Sequence, residues 1–118
     1  MSNLVRGVVD LKAGDDTYSL LLDINALCEA EGALDMTLDV ILAQYAAGTS
    51  ARLVRALVWA GLRAHHPCGM EEAGQIVARA GFVQAKDAIE RALVAALPEG
   101  GDENPPTRDR TSAADGNG

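Results

Sequence analysis

Apolar and polar residues alternate from Val5 to Leu11, with Val5, Gly7, Val9 and Leu11 on one side and Arg6, Val8, Asp10 and Lys12 on the other. That is the period of a half-buried strand. The alternation resumes after Ala13-Gly14-Asp15-Asp16, where Tyr18, Leu20 and Leu22 share a face. Glycine tolerates a positive φ and aspartate bonds its own backbone, so the intervening residues predict a turn and the two runs a β-hairpin.

At Asp23 the period changes to that of helices, and it stays so. Asp23 or Asn25 caps a first helix with Ile24, Leu27 and Cys28 on its apolar face, and Gly32 is its expected stop. A second helix, from about Thr37 to Ala46, carries Leu38, Ile41, Leu42, Tyr45 and Ala46 in one stripe and closes at Gly48. Ser50 opens a third, to about His65, in which Leu53, Val54, Leu57, Val58, Gly61 and Leu62 cover roughly half the circumference. This helix is expected to be the most buried element, and Pro67 ends it. A fourth, about Met70 to Ala80, buries Met70, Ala73, Ile76, Val77 and Ala80, with Glu71 and Glu72 in its first turn, where the helix dipole favours carboxylates. The fifth, about Val83 to Leu97, aligns Ala85, Ala88, Ile89, Ala92, Leu93 and Ala96.

The predicted fold class is therefore α+β: an N-terminal β-hairpin followed by about five short α-helices, with a disordered C-terminal tail. Residues 1–97 are expected to form a single globular domain. Residues 98–118, almost free of apolar side chains, are expected to be a disordered acidic tail. Hydrophobic residues make up 48% of the 118, enough for a packed core, but aromatics are only 3%. Leucine, valine, isoleucine and alanine must fill the interior, which lets helices approach closely while burying little area per residue.

The net charge of −7 comes from 17 acidic against 10 basic residues, and residues 1–97 alone hold 12 acids and 8 bases. No basic field attracts phosphates, so neither nucleic acid nor an anionic membrane surface is an expected partner. Met1 to Arg6 lacks the apolar run of a signal peptide, and no stretch approaches the roughly 20 apolar residues that span a bilayer. Cys28 and Cys68 have no framework spacing and are expected to be reduced thiols. The expectation is a soluble cytoplasmic protein.

Candidate chemistry is sparse. His65-His66-Pro67-Cys68 supplies zinc-ligand types, but adjacent histidines diverge and no second Cys/His cluster lies nearby. Glu29 with Glu31, and Glu71 with Glu72, have spacings that separate the members of each pair around a helix. Gly14-Asp15-Asp16 is too short for a calcium loop, which needs about 12 residues. No nucleophile–base pair or phosphate-binding glycine loop is visible. No catalytic residue, cofactor or metal is expected, and the chain reads as a non-enzyme.

Trp59 stands apart from the Leu53/Leu57 stripe, between Arg55 and Arg63 at i−4 and i+4, with Arg52 close by. One reading has the hairpin or the first helix cover it. The other makes Trp59, Arg55 and Arg63 a partner-binding patch, since these types are enriched at hot spots. The hairpin edges also carry unpaired backbone groups, which makes self-association, a homo-oligomer, or strand addition by a ligand peptide an expectation.

Three stretches, Arg6-Gly7-Val8-Val9-Asp10-Leu11, then Tyr18 to Glu31, then Leu57-Val58-Trp59-Ala60-Gly61-Leu62-Arg63, occur in an order that resembles a known family. It is the small tail protein of gene transfer agents and related tailed phages, labelled both tail tube protein and tail assembly chaperone. The resemblance covers roughly residues 4–97 and excludes the acidic tail. It implies a non-enzymatic part in virion assembly. Of the two labels, the chaperone suits two strands and several helices better, since a tube subunit needs enough sheet to close a ring. The implied partners are the tape-measure protein and other tail proteins, and the implied alternative is a structural tail tube or tail-terminator subunit.

Overall fold

A computed structural model describes residues 7–48 and 50–97 of the chain. The expectations for Val5, Arg6 and a disordered tail over 98–118 lie outside the described residues. Two strands, β1 (Val8–Ala13) and β2 (Asp16–Leu21), are followed by α1 (Ile24–Leu34), α2 (Leu38–Ala47), α3 (Ala51–Leu62), α4 (Met70–Ala80) and α5 (Phe82–Ala96). The predicted order of one hairpin and five helices is the observed one.

β1 and β2 pair antiparallel, with Val9 opposite Leu20, Leu11 opposite Tyr18 and Ala13 opposite Asp16. Pairing through Ala13 and Asp16 leaves Gly14-Asp15 as a two-residue loop, and Gly14 at φ 66 supplies the positive angle such loops require at their first position. The strand therefore runs two residues past Leu11. It also begins after Gly7, whose φ of 86 is outside the extended range. The alternation itself holds: Val9, Leu11, Ala13, Leu20 and Leu22 are buried on one face, while Asp10 and Lys12 are exposed on the other.

α3 is the centre of the molecule. It packs on α1, α4, α5 and β2, and Leu53, Val54, Ala56, Leu57, Val58, Ala60, Gly61 and Leu62 are all buried. Ser50 caps it through Oγ, which accepts from the Leu53 N–H at 3.1 Å. Gly61 faces the hairpin, where a Cβ would stand in ordinary contact, 3.4 Å from Leu20 Cβ and 3.5 Å from Leu22 Cδ2. The helix ends at Leu62, short of the expected His65.

Two expectations for α1 are corrected. Its buried side is Ala26, Leu27, Ala30 and Leu34, whereas Ile24 is 67% exposed and Cys28 lies on the surface. The buried side combines two small alanines with Leu27 and Leu34, and α1 packs on α3. The helix also passes through Gly32 and stops at Asp35, the residue that turns left-handed (φ 54) and whose N–H donates to the Glu31 carbonyl. Glu31 then serves the next helix as well. Its carboxylate accepts from the Leu38 N–H at 2.8 Å, while the N-cap Thr37 makes no side-chain cap bond and its hydroxyl donates to Asp39 at 2.5 Å.

α4 and α5 cover the rest of the hairpin face, burying Ala73 and Ile76, and Ala85, Ala88, Ile89, Ala92 and Leu93. Arg79 of α4 reaches the hairpin loop, donating to the Ala13 carbonyl at 3.1 Å, the Asp16 carboxylate at 3.3 Å and the Tyr18 hydroxyl at 3.0 Å. No helix among the described residues is long and apolar enough to cross a membrane.

Candidate functional site

No polar or charged side chain among the described residues is buried. Any functional chemistry in these residues is therefore surface chemistry, and three regions present it.

The first is the outward side of α3. Trp59 is half-buried and packs against the core, while Arg55 and Arg63, one turn to either side, are exposed. Arg55 does not stand upright in solvent. Its Cδ lies across Gly74 of α4, 3.2 Å from where a Cβ would be. Arg52 and Arg55 thus rim an open groove between α3 and α4 of about 270 Å³, lined also by Ala51, Gly74 and Val77. Trp59 and Arg63 continue the same helix face beyond it by helical spacing.

The second region is α2, which is apolar at every position except Asp39 and Gln44 yet buries only Ile41. A helix apolar all round is ordinarily an interior one. Here Leu38, Leu42 and Tyr45 pack partly on the core, whereas Val40 is 41% exposed and Ala43, Ala46 and Ala47 face outward. The predicted stripe is correct in residues except for Ala46. What sequence reading missed is the apolar character of the opposite face. The Tyr45 hydroxyl donates to the Lys86 backbone carbonyl of α5. Burial, with the nearby Glu90 and Asp87 carboxylates, pushes that phenol up to about 12.

The third region joins residues that sequence reading had kept apart. His66, half-buried in the α3–α4 connection, has Nε2 2.9 Å from Glu72 Oε2. Cys68 brings its thiol to the same place, so that the donor atoms of His66, Cys68 and Glu72 all lie within 4.8 Å of one another. Glu72 was expected only to favour the helix dipole, and the signal overlooked was a carboxylate four residues after the cysteine. His65 is exposed, and Cys28 is not part of the group. Burial and the Glu72 charge push the Cys68 thiol up, the reverse of what a nucleophilic cysteine requires. The carboxylate also holds Nε2, the ring nitrogen that meets the nucleophile in a Ser–His–Asp arrangement. Exposed apolar side chains elsewhere are Ile24, Phe82, Val83 and Val94.

A family model described as phage tail tube protein, GTA-gp10, matches residues 6–99. No curated protein and no solved structure matches the chain.

Proposed function

The chain belongs to the phage tail tube protein family GTA-gp10, and from that membership we propose that it acts as a non-enzymatic tail assembly chaperone that binds the tape-measure protein. The observation carrying this reading is the mismatch between fold and surface. The described residues hold one two-stranded sheet of six-residue strands beside five helices, and α2, apolar at all but two positions, buries only Ile41 and leaves Val40, Ala43, Ala46 and Ala47 facing outward. A wall that closes sheets around a lumen needs continuous strand pairing. An exposed apolar helix surface suits a different task, holding an amphipathic helix by its apolar stripe.

In this reading the tape-measure protein contributes the helix, and Trp59 with Arg55 and Arg63 forms the anchoring patch. Arg52 and Arg55 rim the neighbouring groove. The protein works in the cytoplasm of the host cell during particle assembly, alone or as a homo-oligomer, and makes or breaks no bonds. Coexpression with the tape-measure protein and affinity capture tests the proposal. Stable co-capture, weakened about tenfold or more by Trp59→Ala with Arg55→Ala, is the expected result. Normal capture by that variant removes the patch from the proposal, and absence of any capture removes the chaperone.

A structural tube or tail-terminator subunit is the second reading. It is favoured by the family's own description and by the open edges of the hairpin. Finding the protein as a stoichiometric component of purified mature particles selects it, whereas its absence from them selects the chaperone.

A further inference from the structure

The connection from α3 to α4 is tightly held for so short a segment. The backbone N–H groups of His65 and His66 donate to the Leu62 carbonyl at 3.1 and 2.6 Å. Pro67 restrains the residue before it from continuing a helix, and Gly69 caps α4 in an extended conformation, φ −80 and ψ 169. Glu72, the third residue of α4, reaches back past the cap to His66, with its Oε2 2.9 Å from Nε2. Tyr18 of the hairpin meets the His66 ring edge-on, with centroids 5.0 Å apart and planes at 67°. The imidazole is thus flanked on one side by an aromatic ring and on another by a carboxylate.

We propose that His66, Cys68 and Glu72 form a binding site for a thiophilic divalent cation of the zinc class. A hydrogen-bonded His–Glu pair alone needs no cysteine. The third donor, Sγ within the same 4.8 Å, turns the pair into a ligand set. Imidazole nitrogen, thiolate sulfur and carboxylate oxygen are the three donor types zinc accepts. Calcium and magnesium prefer oxygen alone, so a sulfur and a nitrogen argue against them. Zinc–donor bonds of about 2.0–2.3 Å place tetrahedral donors roughly 3.3–3.8 Å apart. The widest separation has to close by up to about 1 Å while His66 Nε2 and Glu72 Oε2, 2.9 Å apart, open slightly, adjustments that side-chain rotation supplies because His66 and Cys68 are half-buried and Glu72 is exposed. Three protein ligands leave a fourth position for water or a partner's side chain. The ion would tie the connection to the first turn of α4 beside the hairpin, whether or not the chaperone reading holds.

Titration of the full-length, reduced, chelator-treated chain with cobalt(II), followed by zinc(II), tests this. A single cobalt ion per chain is expected, with a thiolate-to-metal charge-transfer band that zinc bleaches. Cys68→Ser abolishes the band, and Cys28→Ser leaves it unchanged. His66→Gln and Glu72→Gln each weaken zinc binding about tenfold or more, with the helical circular dichroism of the metal-free proteins unaltered. The proposal is overturned if saturating cobalt gives no such band, if the band depends on Cys28, or if a variant lacking all three ligands binds zinc as well as the parent.

Discussion

Tyr45 and Lys86, 41 residues apart in the chain, join α2 to α5 through a hydrogen bond from the tyrosine hydroxyl to the lysine backbone carbonyl. The Lys86 ammonium lies 5.7 Å from the centre of the same ring. α2 buries only Ile41, with Leu38, Leu42 and Tyr45 packed partly on the core, and this bond adds a polar tie to α5. Tyr45→Phe keeps the ring and removes the donor. The expected loss is about 1 kcal/mol in denaturant unfolding, with faster amide exchange concentrated in α2.

The same phenol makes stability fall in alkali. Its folded value, about 12, lies above the ordinary 10.0, so the neutral form is favoured by folding. That contribution is complete below pH 10 and is lost as the pH rises towards 12. Stability measured across this window should decline more steeply for the parent than for Tyr45→Phe. Parallel curves would show that Tyr45 is not the responsible group.

Gly61 separates two explanations of why a glycine faces the hairpin. A Cβ there would meet Leu20 and Leu22 at 3.4–3.5 Å, ordinary contact distances. Gly61→Ala is therefore expected to fit and, by reducing backbone freedom within α3, to stabilise by about 0.5–1 kcal/mol. Gly61→Leu has nowhere to place its branch and is expected to destabilise by about 1–3 kcal/mol or more. A lower melting temperature for the alanine variant would show that the hairpin sits closer than these distances.

Much of this fold could be read from periodicity, and the exceptions have identifiable causes. The hairpin and α3 were legible because large apolar residues recur on one strand face and along half a helix. α1 was misread where alanine decided the matter: Ala26 and Ala30 are buried and Ile24 is not, since helix–helix proximity selects small residues that a hydrophobicity pattern weights lightly. Gly32 was misread because a glycine terminates a helix only where a positive φ is needed, and that angle falls at Asp35. The His66–Cys68–Glu72 group was hidden for another reason. Its members straddle a loop and a helix start, a junction with no fixed periodicity.

Arg79 gives the hairpin loop its anchor, contacting Ala13, Asp16 and Tyr18 together, with its guanidinium carbon 5.8 Å from the Tyr18 ring centre. The interaction is exposed, so its effect should be local. Arg79→Gln is expected to accelerate amide exchange from Ala13 to Tyr18 while leaving α3 protected. Loss of protection throughout α3 would mean that the hairpin and helices unfold as one unit.

Val40 tests whether the outward face of α2 serves folding or a partner. It is 41% exposed and lies in the first turn of α2, where an added carboxylate is favoured by the helix dipole. Val40→Asp should therefore leave stability within about 0.5 kcal/mol of the parent. If the tape-measure protein lays an apolar helix stripe on this face, the new charge is desolvated on binding with no partner, and capture should fall about tenfold or more. A variant that folds normally and loses capture places α2 in the interface. One that folds normally and captures fully removes the outward face of α2 from the interface, and one that unfolds shows that the face is covered within the protein itself.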